Sequence, residues 1–134
     1  RLLAAPNPDS YLGEGLTLQR SLADYLHELL AAKGLKRADV YRASGLNSTV
    51  VYDAFSGKSR LGRDNALMVA FGLGCSLRET QRLLKLAGAA ELYPKVRRDA
   101  IIIWCIDRGM SREACDDELW RFGEKTLLGT CPLQ

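Results

Sequence analysis

The chain has a single histidine, His27, and four cysteines spaced 30, 10 and 16 residues apart. No Cys-x-x-Cys pair exists, so the spacing of a structural zinc site is missing, and neither a metal nor a cofactor is expected. Long apolar runs are missing too. The longest, residues 100–106, includes Trp104 and Cys105 and stops at Asp107, far short of the roughly 18 residues that span a bilayer. A membrane partner is therefore not expected. There is no glycine-rich phosphate loop, no internal repeat and no low-complexity stretch. The cysteines lack a neighbouring base and His27 sits between Leu26 and Leu29 in a structural or surface setting, so an enzyme is not expected. The chain opens on Arg1, with no methionine and no charged-then-apolar leader, and a trimmed start is the expectation. The thiols read as reduced, small core residues of a cytoplasmic protein.

What is present suits a packed domain. At 134 residues, 47% hydrophobic and 26% charged, the chain fits one domain, or a small domain with an appended helical piece. Its net charge of +3 matters less than where the charge sits. Residues 33–63 carry Lys33, Lys36, Arg37, Arg42, Lys58, Arg60 and Arg63 against only Asp39 and Asp53. The segments on either side are acidic or balanced. A phosphate-binding surface has this electrostatic footprint, and so does a solvated basic face.

Periodicity and caps predict an all-α chain. Residues 1–17, with two prolines and two glycines, read as an irregular arm. Leu18, Leu22, Tyr25, Leu26, Leu29 and Leu30 form one stripe, predicting a first helix over 18–33 that stops at Gly34. A short helix over 37–43 ends in the turn Ser44-Gly45-Leu46, and Asn47 caps a third over 47–55. On that third helix Val51, Ala54 and Phe55 face inward, while Ser48, Thr49, Tyr52, Asp53 and Ser56 point out. A fourth helix spans 63–73, and a Ser76…Glu79 capping box opens a fifth that ends at Ala87. Pro94 suits the first turn of a sixth helix over 94–108, whose apolar centre calls for burial on more than one side. Ser111 caps a seventh, over 111–122, and its Glu113, Asp116, Asp117 and Glu118 read as a solvated acidic face in preference to a partner-binding patch. Trp104 and Trp120 read as core or interface aromatics. The resulting division is an arm at 1–17, a five-helix unit at 18–90, and a helical hairpin at 91–134 that packs on it or serves in dimerisation.

The run GLKRADVYRASGL, then NSTVVYDAFSG, GKSRLGRD and LMVAFGLGCSLRE, resembles the phage-repressor (Cro-like, XRE) family of helix-turn-helix domains over residues 22–88. The resemblance implies a five-helix lambda-repressor-like domain, here with two C-terminal helices added, acting as a sequence-specific, dimeric transcriptional regulator on double-stranded DNA. It places base contacts on Ser48, Thr49, Tyr52 and Asp53 at the third helix, which would enter the major groove. It places phosphate contacts on Lys36, Arg37, Lys58, Arg60 and Arg63. Two positions depart from the pattern: Tyr41 stands where the second helix usually carries a small residue, and Asp53 puts a negative charge on the groove face. Asp53 would accept from a cytosine amino group, be tied back to Lys58 or Arg60, or mark a lost DNA contact. The alternative function is a protein-interaction module that keeps the repressor fold without binding DNA.

Overall fold

The computed structural model describes the backbone of residues 8–131 and the side chains of residues 21–131. Among the described residues the chain is all-α, with seven helices and no strand. They are α1 (Pro8–Lys33), α2 (Arg37–Ser44), α3 (Ser48–Ser56), α4 (Arg63–Leu73), α5 (Leu77–Leu86), α6 (Arg97–Asp107) and α7 (Arg112–Arg121). None is long and apolar enough to cross a membrane.

The caps set most boundaries. Asn47 Oδ1 accepts the Val50 N–H at 2.9 Å, the Ser76 hydroxyl accepts that of Glu79, and Ser111 that of Ala114. Each satisfies one of the orphan donors at a helix start. The ends of the first and sixth helices differ from expectation. Residues 8–17 are helical rather than irregular, while the rest of the expected arm, residues 1–7, lies outside the described residues. Pro8 occupies the first helical position, where its missing N–H costs nothing. Gly13 and Gly15 each cost about 1 kcal/mol relative to alanine, which a helix anchored downstream by buried Leu22, Leu26 and Leu29 absorbs. Pro94, in contrast, lies in a turn before α6. The Gln81 side chain exchanges two hydrogen bonds with the Leu92 backbone, and the Tyr93 N–H donates to Asp99 at 3.0 Å. These bonds hold the non-helical approach to α6 and delay its first turn to Arg97.

α4 is the central helix: Ala66, Leu67, Met68, Val69, Ala70 and Leu73 are all buried. It meets α1, α2, α5 and α7. Gly72 lets α2 come close, since a Cβ there would lie 2.8 Å from the Val40 carbonyl and 3.2 Å from the Ser44 Cβ. The small pair at this helix crossing is thus Ser44 with Gly72. The core continues without a break into the C-terminal hairpin through Ile102, Cys105, Ile106, Cys115, Leu119 and Leu127, so the hairpin packs on the five-helix unit.

Two crossed ion pairs fasten that junction. Arg63 and Asp64 open α4, and Arg98 and Asp99 lie in the first turn of α6. Arg63 grips Asp99 with both terminal nitrogens at 3.1 and 2.8 Å, and Arg98 grips Asp64 at 3.0 and 3.1 Å. Each guanidinium also donates to backbone carbonyls, of Ala90 and Glu91 for Arg63 and of Lys125 and Thr126 for Arg98. Asp99 is only 4% exposed, so the satisfied fork geometry is what makes its burial tolerable.

The hairpin itself corrects one expectation and narrows another. Asp116 is buried rather than solvated, accepting from Arg112 at 2.7 Å and from the Leu127 N–H at 2.6 Å. Of the core and interface settings expected for Trp104 and Trp120, the core one falls away, since they stand 45% and 50% exposed. α6 is buried along Ile102, Cys105 and Ile106, leaving an outer face open. The cysteines are free thiols, with Cys75, Cys105 and Cys115 buried.

Candidate nucleic-acid interface

Three contacts position α3. The Ser44 hydroxyl, fully buried, donates to the Tyr41 carbonyl and accepts the Leu46 N–H, both at 3.1 Å. It thereby closes the turn between α2 and α3. Gly45 follows with φ 84°, a left-handed conformation that disfavours any side chain. At the far end of α3, His27 Nε2 lies 2.8 Å from the Phe55 carbonyl and its ring meets the Phe55 ring edge-on. This satisfies one of the last carbonyls of α3 from α1. Val51, Ala54 and Phe55 are buried as the periodicity predicts.

The opposite face carries the expected base-contact residues. Thr49 is exposed, and Ser48, Tyr52 and Asp53 are half-buried. Tyr52 is fixed by an aromatic and cationic stack: the Arg37 guanidinium lies 5.1 Å from its ring centre, and the Tyr41 ring meets it edge-on at 6.0 Å. Arg42 in turn lies over Tyr41. Tyr41 therefore stands beside Tyr52 on this face, a neighbour that nothing in its local sequence signals.

The seven basic residues of 33–63 divide sharply. Lys33 pairs with Glu79 at 3.0 Å and Arg42 with Asp39 at 3.0 Å. Arg63, expected on phosphate, is instead the structural clamp on Asp99, and its fork is occupied. Lys36, Arg37, Lys58 and Arg60 are exposed and have no carboxylate partner among the described residues. Lys36 and Arg37 flank the start of α2, and Lys58 and Arg60 follow α3, with Arg60 lying against Gly88. Asp53 is not tied back: its side chain pairs with neither Lys58 nor Arg60. Only its backbone carbonyl is engaged, accepting from the Lys58 N–H at 2.9 Å.

Asp39 has a local duty. Its carboxylate accepts the Lys36 N–H at 2.9 Å, and that bond, with Arg42 beside it, holds its pKa below the ordinary 3.8. A negative group at this helix start is favourable. Among the described residues, the surface around α3 thus has four cations without a carboxylate partner and one carboxylate, Asp53, without a cation partner, and the start of α3 presents short hydroxyl side chains. Chemically it is suited to grip phosphates and to make modest contacts with base edges.

Behind this face, from α7, Arg112 supports the turn. A Cβ on Gly45 would lie 2.8 Å from its Nε. Arg112 is 7% exposed and that Nε is buried without a hydrogen-bond partner. Its 67-residue separation from Gly45 hides the contact from any local reading.

A further concavity lies elsewhere. It is a cleft of about 530 Å³ among Lys33, Cys75, Glu79, Asp107 and their neighbours. Burial pushes the Cys75 thiol up to about 12, and Lys33 is committed to Glu79. No cluster of three or more His, Cys, Asp or Glu side chains suited to a metal occurs among the described residues. No protein-family model, curated protein or solved structure matches this chain.

Proposed function

We propose that the protein is a sequence-specific double-stranded DNA-binding regulator, built on a lambda-repressor-like helix-turn-helix arrangement in which α3 enters the major groove. The observation that carries this reading is the sorting of charge. Lys36, Arg37, Lys58 and Arg60 stand exposed around α3 without a carboxylate partner among the described residues, while the other basic residues of the region are paired. A helix about 10–12 Å across fits a groove about 12 Å wide. Ser48 and Thr49, at the start of α3, meet base edges; Tyr52 and Arg37 act as one unit, ring and cation together. Lys36, Arg37, Lys58 and Arg60 hold phosphates on either side.

Two copies then present their α3 helices about 34 Å apart, one turn of duplex, to read a two-part site. Selection of bound duplexes from a random pool, followed by anisotropy titration across salt, tests the reading. Four neutralised phosphates give a log–log salt slope of about −3.6. Salt-insensitive binding, or no selected sequence, refutes it.

A protein-interaction module on the same fold is the second reading, favoured by Asp53 on the α3 face without a cation partner among the described residues. It expects the α3 face to be covered by one stoichiometric protein and DNA to compete poorly.

A further inference from the structure

One side of α7 carries an aromatic ring and carboxylates that the rest of the chain leaves open. Glu113, Asp117 and Trp120 follow one another at four- and three-residue spacing, which places them on one helix face. All three line a cavity of about 300 Å³, closed on its other side by the segment after α7, including Leu128. Trp120 is 50% and Leu128 55% exposed. That segment is held in place: the Asp116 carboxylate accepts the Leu127 N–H at 2.6 Å, and the Thr130 N–H donates to the Thr126 hydroxyl at 2.9 Å. The surface is thus formed in advance of any partner.

Its charge has one sign. Glu113, Asp116 and Asp117 line the cavity against Arg112 alone, a net of −2. Arg112 is buried and divided between Asp116 at 2.7 Å and Glu113 at 3.6 Å. Asp117 is exposed and has no cation partner among the described residues. The rings differ in the same way. Arg108 lies over Trp104, and Arg97 and Arg121 lie over Phe122, but among the described residues no cation lies over Trp120. An open indole beside carboxylates attracts a cation through both the ring and the charge.

Other occupants fit poorly. Nucleic acid and anionic lipid carry the wrong sign. No group of three or more side chains suited to a metal occurs among the described residues. A twofold pair of this chain would set one acidic face against the other. The volume stands at the low end of small-molecule sites, about 300–1,000 Å³, which suits a single side chain delivered by a larger partner.

We infer that this face of α7 docks a basic segment of another protein. A cationic side chain of that segment lies on the Trp120 ring and pairs with Asp117, a second cation pairs with Glu113, and an apolar neighbour covers Leu128. The face is separate from the cations around α3, so the inference is independent of whether α3 enters DNA.

The test uses the full chain with two labelled peptides, one of arginine and leucine and one with glutamate in place of arginine, and unlabelled arginine amide as competitor. The chain carries a net charge of +3, so its overall field does not draw a basic peptide in. The arginine peptide is expected to bind saturably, with amide and indole shifts in an NMR titration confined to α7 and residues 126–130. Trp120→Ala weakens it at least about tenfold, and Glu113→Gln with Asp117→Asn does the same, through loss of the ring or of the charge-assisted pairs. Asp107→Asn, at an exposed carboxylate outside this face, leaves it unchanged. All four positions are exposed, so circular dichroism and melting temperature stay at their wild-type values. Equal binding of the two peptides, absence of binding, arginine amide competing as well as the peptide itself, equal weakening by Asp107→Asn, or self-association abolished by Trp120→Ala each overturns the proposal.

Discussion

The arginines at the α4–α6 junction and those around α3 differ in what surrounds them. At the junction, Arg63 and Arg98 each face a carboxylate and two carbonyls, and each makes four hydrogen bonds. Around α3, Arg37 lies over the Tyr52 ring and Arg60 against Gly88, and neither has a carboxylate partner among the described residues. The local carboxylates explain the contrast. Asp39 is spent on the α2 start and Arg42, and Asp64 on Arg98. The charge left over is a surface property, sensitive to salt, whereas the junction charges belong to the packing. Substitutions at the junction should therefore cost stability, and those around α3 affinity.

The largest effect is expected from Asp99→Ala. It strips Arg63 of its partner and leaves the Tyr93 N–H unbonded. Breaking a buried pair costs about 3–5 kcal/mol; since Arg63 is 27% exposed and water can reach it, a loss of about 2–3 kcal/mol in urea unfolding is the expectation. DNA affinity measured well below the midpoint should hold. A loss of affinity without a loss of stability would break the comparison.

Gly72→Ala comes next. Alanine favours a helix by about 1 kcal/mol over glycine, yet the new methyl meets the Val40 carbonyl at 2.8 Å, a backbone atom that cannot swing away. Moving α2 outweighs the helix preference, and a net loss of about 1–2 kcal/mol is expected, as in other overpacked crossings. A gain in melting temperature would mean that α2 is held loosely on α4.

Around α3 the sign reverses. Arg37→Glu with Arg60→Glu should weaken DNA binding by at least about tenfold and flatten the salt slope by about 2, with unfolding free energy within about 0.5 kcal/mol of wild type. Wild-type affinity in the double variant sinks the DNA-binding reading.

These contrasts also show what the sequence could say. Asn47, Ser76 and Ser111 announced helix starts because a cap is a local event, and the inward triad Val51, Ala54 and Phe55 followed from period alone. The role of Arg63 was hidden because its partner lies 36 residues on, and Asp116 because a buried carboxylate and a solvated one look alike on an acidic helix. Gly13 and Gly15 misled in the other direction: they weigh against a helix locally, and the anchoring leucines further along outweigh them. The candidate interface was legible as a set of positive residues, but its four unpaired members emerged only once the pairings were known.

Acid sensitivity is a smaller effect with a defined direction. The Glu79 carboxylate accepts the Ser76 N–H and pairs with Lys33, and the first of these bonds does most to lower its pKa below 4.5; Asp39 is lowered likewise from 3.8. Depressed carboxylates contribute stability above their unfolded values and lose it as pH falls through the folded ones. Melting temperature should therefore be flat above about pH 5 and decline below about pH 4. Glu79→Gln should lessen that decline.

The finest test is Asp53→Asn. Asp53 opens the last turn of α3, where the negative end of the helix dipole makes a carboxylate unfavourable by a few tenths of a kcal/mol, so the substitution should leave stability equal or slightly higher. Its effect on binding separates the readings of this residue. If Asp53 merely opposes phosphate, asparagine should tighten binding to every duplex by about threefold at low salt, and the gain should fade as salt screens it. If it accepts from a cytosine amino group, binding should weaken only on duplexes that carry that cytosine, by about 1–3 kcal/mol. If the α3 face meets protein instead, neither pattern arises, and the charge that looks misplaced on a DNA surface is the one the partner recognises.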